Sequence, residues 1–117
     1  MNFCSNDYLG LAGHRALCEA AARAATEFGA GSRASRLVCG SLLPHHALEE
    51  SLADFKGTEA ALVFSTGYAT AIGTIRALLD KDDVLLTDKL VHACVVDAAR
   101  LCGAKLRVFR HSDVEDL

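Results

Sequence analysis

Apolar positions follow two different repeats along the chain. In the first half they recur every three to four residues, as in amphipathic helices, and Gly29 and Gly57 follow as stops. From residue 60 onward, short apolar runs alternate with helical stretches. The predicted elements are helices over 14–28, from Pro44 to Gly57, over 67–79 and over 91–102, and strands over 60–64, 84–87 and 105–109. Because strands that alternate with helices pair in parallel, the pattern predicts an α/β fold with a mostly parallel sheet and flanking helices.

The last residues predict that this fold continues beyond the chain. Ser112 and Glu115 have the spacing of a capping box, which marks the start of a helix, yet the sequence ends at Leu117. Three parallel strands would also leave the sheet poorly covered, whereas such sheets normally bury both faces. We therefore expect a truncated α/β domain. Residues 1–40 are expected to form an N-terminal segment with a helix and a small-residue loop, and residues 41–117 the first, incomplete part of a large domain.

Composition limits the classes of function that the chain can have. Of 117 residues, 51% are apolar and 23% are charged, which is typical of a globular domain, and the net charge of −3 gives no electrostatic footprint for nucleic acid. No apolar run approaches the ~20 residues of a membrane span, and the N-terminus lacks the features of a signal peptide. The five cysteines form no C-x-x-C pair, which argues against a disulfide framework or a zinc site. The pattern therefore predicts that the protein is located in the cytoplasm, which is reducing.

Two segments stand where a predicted strand gives way to a helix. In Ser65-Thr66-Gly67-Tyr68, the glycine allows close approach of a ligand, and the free N–H groups of a helix N-terminus suit a phosphate. In the second segment, His92 follows Asp88 at the carboxyl end of a strand, where α/β proteins bind ligands. Taken alone, each motif fits a plainer interpretation better: an ordinary turn glycine with Tyr68 in the core, and a partly exposed histidine that caps its helix.

Other candidate sites are weaker. The stretch 29–36 lacks the G-K-[ST] ending of a P-loop, and its small residues favour close approach between chain segments. His45 and His46 are adjacent and would diverge on a helix, so they cannot form an i, i+4 metal pair. No metal site is predicted.

Taken in order, six blocks resemble the α-oxoamine synthases, a branch of the fold-type-I pyridoxal phosphate enzymes. The blocks are 5–11 (Ser-Asn-Asp-Tyr-Leu-Gly-Leu), 29–32 with 35–36, 46–49, 65–68, 88–93 and 110–113 (Arg-His-Ser-Asp). The resemblance covers essentially the whole chain. It implies that the chain is the N-terminal part of a fold-type-I transferase and includes the first part of the large domain that binds pyridoxal phosphate. Enzymes of this family are homodimers, so the resemblance implies a homodimer here.

The resemblance also implies a reaction. These enzymes are acyltransferases that condense an amino acid with an acyl-CoA or acyl-carrier-protein thioester, with loss of CO₂. The first and last blocks favour the biotin-pathway branch, which uses L-alanine and a pimeloyl thioester. The alternatives are the 2-amino-3-ketobutyrate CoA ligase, 5-aminolevulinate synthase and serine palmitoyltransferase branches.

Site residues follow from the resemblance position by position. Thr66, Gly67 and Tyr68 match the contacts to the cofactor phosphate. His92 matches the catalytic histidine that stacks on the pyridine ring and also meets the substrate. Asn6 and Ser32 match substrate-binding positions. For Asn6 and Ser32, the assignment rests on the resemblance alone.

The chain departs from the family pattern in several places. Arg33-Ala34 stands where Gly-Gly is commoner, Ala71 where Asn is usual, and Cys94 where Ser is usual. None of the lysines matches the Schiff-base lysine of the family; they are Lys56, Lys81, Lys89 and Lys105. We therefore expect these 117 residues alone to be inactive. An alternative is a lysine-less, non-catalytic subunit that pairs with an active partner.

Overall fold

The computed structural model describes residues 3–117, in two compact units with the boundary between Ala61 and Leu62. The domain boundary predicted after residue 40 stays a prediction.

Two helices make up the regular structure of the first unit. They are α1 (Arg15–Phe28) and α2 (Leu43–Lys56). Gly29 ends α1 with φ 92° and Gly57 ends α2 with φ 65°, both backbone conformations that favour glycine. Pro44 lies in the first turn of α2, where its missing N–H costs nothing. The predicted helices of this unit are therefore confirmed.

The loop between these helices is fastened to α2 by one charged pair. The guanidinium of Arg36 donates two hydrogen bonds to the carboxylate of Glu49, at 2.5 and 2.9 Å, in the bidentate geometry that makes such pairs strong. Glu49 raises the pKa of Arg36 through this hydrogen bond, and its negative charge adds to the effect. Gly40 lies so close to the loop backbone that an added Cβ would sit 1.8 Å from the carbonyl oxygen of Ala34. The backbone therefore approaches itself closely within this loop, whereas a close approach between subunits stays a prediction.

The second unit contains a parallel βαβ arrangement with one further helix. Its elements are α3 (Gly67–Leu78), β1 (Val84–Asp88), α4 (Ala93–Cys102) and β2 (Lys105–Phe109). The strands β1 and β2 pair in parallel, with a register that runs from Val84 opposite Lys105 to Asp88 opposite Phe109. Helix α4 is the crossover between them and packs against α3.

Two of the predicted elements are wrong. Residues 60–64 are not a strand, because a strand requires a hydrogen-bonded neighbour and the sheet of the described residues contains only β1 and β2. The helix predicted to start at Ser112 is also absent from the described part of the chain: Ser112 has φ 54° and the following residues form a turn. Asp113, rather than Ser112, accepts the backbone N–H groups of Glu115 and Asp116, each at 3.1 Å.

The apolar residues buried within the described part of the chain are all small. They are Ala53, Cys94, Ala98, Ala99 and Ala104. Many larger apolar side chains are exposed, and two of them, Leu37 and Phe55, are at least 80% exposed. The described residues therefore leave much apolar surface uncovered. Within residues 3–117, no helix is both long and apolar enough to cross a membrane.

Candidate cofactor site

The N-terminus of α3 forms an open group of hydrogen-bond donors. Thr66 is the N-cap residue, and its Oγ1 accepts the backbone N–H of Ala69 at 3.0 Å. The N–H groups of Gly67 and Tyr68 find no acceptor within residues 3–117. A Cβ on Gly67 would meet no atom within 4 Å, so the space beside this glycine is open. Free N–H groups and the positive end of the helix dipole together suit a phosphate.

His92 occupies the corresponding position on the neighbouring helix. It is the N-cap of α4, which explains why this helix begins at Ala93 and not at 91. Its Nδ1 accepts the backbone N–H of Cys94 at 3.2 Å and lies 3.0 Å from the Cys94 Sγ. Because Nδ1 accepts a backbone N–H, the proton of the neutral ring lies on Nε2. The ring is exposed at one end of the helix, while Cys94 beneath it is buried.

One side-chain contact links these two helix ends. The hydroxyl of Tyr68 on α3 donates a hydrogen bond to Oδ2 of Asp97 on α4, at 3.3 Å. The negative charge of Asp97 raises the pKa of Tyr68 above its ordinary value of 10.0, and partial burial and this hydrogen bond act in the same direction. The phosphate-type donors and the imidazole are thus held on adjacent helices.

Asp88 is the last residue of β1 and lies four positions before His92. It stabilises the carboxyl end of the two strands. Its carboxylate accepts the N–H of Leu90 at 2.6 Å, the N–H of Ser112 at 3.0 Å and Nδ1 of His111 at 3.0 Å. These contacts lower the pKa of Asp88, most of all the hydrogen bond from Leu90. Asp88 therefore joins the loop that follows β1 to the loop that follows β2, and so shapes the segment leading to His92.

The other predicted site residues lie in the first unit. Asn6 is exposed in a turn that the side chain of Asp7 stabilises by accepting the N–H of Leu11 at 2.8 Å. Ser32 is half-buried and lines a cavity of about 420 Å³ between α1 and the start of α2. The substrate-binding roles of Asn6 and Ser32 stay predictions.

Histidines at the start of α2 make local hydrogen bonds. Nδ1 of His45 accepts the backbone N–H of Leu42 at 3.0 Å, which caps α2. Nε2 of His46 lies 3.0 Å from the hydroxyl of Ser41, which is also within 3.3 Å of the Arg36 guanidinium. Both rings therefore help to hold the loop against α2.

Sequence reasoning did not find Asp97 or the pair formed by Arg36 and Glu49. A helix over 91–102 places residue 97 one turn after residue 94, so this part of the geometry follows from spacing. The contact with Tyr68 does not, because it depends on how α3 packs against α4. Arg36 and Glu49 both lie in blocks that resemble the family, and this is the signal from which a role for the two residues could have been predicted.

Comparison with known proteins identifies the family of the chain. Residues 1–117 match the sequence model of the family described as aminotransferase class I and II, and the chain belongs to that family. It is 50% identical, over all of its 117 residues, to the 8-amino-7-oxononanoate synthase of Methylococcus capsulatus. It is 51% identical over 113 residues to the enzyme of that name from Exiguobacterium sibiricum. The chain spans about 30% of the length of these relatives.

Solved structures give the same family. The serine palmitoyltransferase of Sphingomonas wittichii matches 93% of this chain with 39% identity and a TM-score of 0.90, and the match covers 27% of that structure. The serine palmitoyltransferase of S. paucimobilis, solved with pyridoxal phosphate and myriocin, matches 93% of this chain and 27% of its own with 36% identity and a TM-score of 0.89. An 8-amino-7-oxononanoate synthase from Francisella tularensis matches 97% of this chain and 31% of its own with 27% identity and a TM-score of 0.83.

These comparisons confirm the resemblance to α-oxoamine synthases and the fold class inferred from it. At the level of the family, they also confirm pyridoxal phosphate as the cofactor.

Proposed function

We propose that this chain supplies the phosphate and ring contacts of a pyridoxal phosphate-dependent acyltransferase that acts as an 8-amino-7-oxononanoate synthase. Such an enzyme would condense L-alanine with a pimeloyl thioester, with loss of CO₂, in biotin biosynthesis. The observation that carries the proposal is the pair of helix N-termini joined by Tyr68 and Asp97. One presents free N–H groups and the other presents His92. The 50% identity to synthases of that name supports the choice of substrates.

The described residues fit the cofactor. The N–H groups of Gly67 and Tyr68 and the hydroxyl of Thr66 would hold the phosphate, and the open space at Gly67 leaves room for it. The exposed imidazole of His92 would lie against the pyridine ring. When bound, pyridoxal phosphate supplies an electron sink that stabilises negative charge on the α-carbon of the amino acid.

The remaining work of this chain is orientation. His92 presents Nε2–H, a hydrogen-bond donor that could orient a substrate carbonyl, because its Nδ1 is already occupied by Cys94. Asn6 and Ser32 would help to bind the substrate, a role that rests on the resemblance alone. The proposal includes a homodimer in the cytoplasm, as expected for the family.

We also propose that the activity belongs to a longer protein. The chain spans about 30% of its relatives, and its large apolar side chains are left exposed by the described residues. A lysine that forms the covalent bond to the cofactor would lie outside these 117 residues.

The first experiment is the intact mass of the protein from its natural source after borohydride reduction, which fixes pyridoxal phosphate covalently to its lysine. We expect a mass several times that of this chain, with one reduced pyridoxyl adduct. An unreduced sample is the control for adventitious cofactor. A species with the mass of 117 residues and no adduct would contradict the proposal and favour a non-catalytic subunit.

A second function is supported by one observation, the 39% identity to a serine palmitoyltransferase over 93% of the chain. The two functions differ in substrates, so the purified natural protein should be assayed with L-alanine plus pimeloyl-CoA and with L-serine plus palmitoyl-CoA. We expect release of CoA with the first pair. Turnover with the second pair alone would make the protein a serine palmitoyltransferase.

A further inference from the structure

We propose that Cys94 is a positioning residue for His92: its thiol and its backbone N–H together keep Nδ1 of the ring as an acceptor, so that Nε2 carries the proton. The inference deepens the proposed function and rests on it, since a fixed Nε2–H is useful if His92 faces cofactor and substrate.

The geometry around the ring nitrogen carries the first step. Nδ1 has a single in-plane lone pair, which accepts the Cys94 N–H at 3.2 Å. The Sγ of the same residue lies 3.0 Å from Nδ1, and while Nδ1 is the acceptor, the thiol can only donate to it and share this lone pair. Cys94 is only 9% exposed, so water competes little for its thiol proton. Turning the ring over would leave both donors without this acceptor, at the cost of an unsatisfied buried group.

A second histidine in the chain shows that the backbone alone does not fix such a ring. His14 is the N-cap of α1 with φ −67° and ψ 127°, close to the φ −61° and ψ 142° of His92. Its side chain nevertheless makes no capping hydrogen bond. The residue two positions further on is Ala16 in α1 and Cys94 in α4, so the thiol is a chemical difference between the two helix ends.

The competing interpretation is that Cys94 only fills the core beneath α4, as free cysteines often do. In that case, its replacement by alanine would change the stability of the protein and leave the ring of His92 as it is. The tautomer of His92 therefore separates the two interpretations, and it can be measured without the cofactor.

The test is long-range ¹H–¹⁵N correlation spectroscopy of the natural protein with ¹⁵N-labelled histidine. In the wild type and in Cys94→Ser, which keeps a donor, we expect His92 only as the Nε2–H tautomer. In Cys94→Ala, we expect the share of the Nδ1–H tautomer to rise to that of His14, which serves as the reference within the same spectrum. An unchanged tautomer in a folded Cys94→Ala variant overturns the proposal.

If Cys94→Ala does not fold, Cys94→Val decides, because it keeps an apolar side chain at this buried position and removes the thiol donor. We expect the same rise of the Nδ1–H tautomer of His92; an unchanged tautomer overturns the proposal. Failure here is separable from failure of the proposed function. A protein with a pyridoxyl adduct but an unchanged ring in Cys94→Ala contradicts only the role of Cys94. If the tautomer of His92 changes in Cys94→Ala but no pyridoxyl adduct is found, only the proposed function is contradicted.

Discussion

At the scale of single residues, Arg33 has a backbone that favours glycine. Its φ is 64°, a left-handed conformation that costs a residue with a Cβ about 1 kcal/mol or more. We expect Arg33→Gly to raise the free energy of unfolding by about 1 kcal/mol, since it removes this strain. Denaturant unfolding of the natural protein measures it. The neighbouring Ala34→Gly, where φ is not positive, is the control and should give no gain; equal effects of both substitutions would contradict the explanation.

Tyr68 and Asp97 give a second prediction at this scale. Because the charge of Asp97 is the largest cause of the raised pKa of Tyr68, Asp97→Asn should bring this pKa back toward its ordinary value of 10.0. Ultraviolet titration of the phenolate measures the change, and Tyr68→Phe identifies which transition belongs to Tyr68. A Tyr68 transition that stays in place in Asp97→Asn would show that the contact at 3.3 Å carries little energy.

At the scale of elements, the ends of helices could be predicted because each carries a local signal: Gly29, Pro44 and Gly57 act through their own backbones. Residues 60–64 have the apolar pattern of a strand but form none, because a strand depends on a partner that the segment itself does not contain. The turn at 112–116 has the spacing of a helix start, but Arg110 holds it closed through ion pairs to Asp113 and Asp116.

The candidate site divides in the same way. Gly67 and His92 could be predicted because both stand at transitions into a helix, which sequence periodicity locates. The roles of Asp97 and Cys94 could not, since one depends on the packing of α3 against α4 and the other on the rotamer of a neighbouring ring.

The loop between α1 and α2 gives a prediction for a whole element. Gly40→Ala would place a Cβ 1.8 Å from the Ala34 carbonyl oxygen, and backbone cannot move aside as a flexible side chain can. We expect it to destabilise the protein by roughly 3 kcal/mol, measured by denaturant unfolding. Gly31→Ala in the same loop is the matched control, because its Cβ would meet no atom within 4 Å. A similar loss in both variants would mean that loop flexibility matters and not the close approach.

At the scale of the whole molecule, the described residues bury small side chains and leave large ones exposed. Polar contacts also brace the two units, such as the pair of Arg36 with Glu49 in the first and the hydrogen bonds to Asp88 in the second. Surface that is apolar and uncovered normally packs against further protein. We expect the 117 residues, produced alone, to bind a hydrophobic fluorescent dye strongly, and the natural protein to bind it weakly; equal binding would contradict this.

Acid stability follows from the brace at Asp88. Its pKa is lower in the folded chain than its ordinary value of 3.8, so its carboxylate stabilises the fold above that value, and the contribution is lost as pH falls through the folded pKa. We expect Asp88→Asn to lower the melting temperature at pH 7 and to differ less from the wild type as the pH falls below about 4. Asp82→Asn, at an exposed carboxylate that accepts no side-chain hydrogen bond within residues 3–117, is the control. A difference between Asp88→Asn and the wild type that stays constant from pH 7 to strong acid would show that the brace acts through shape and not through charge.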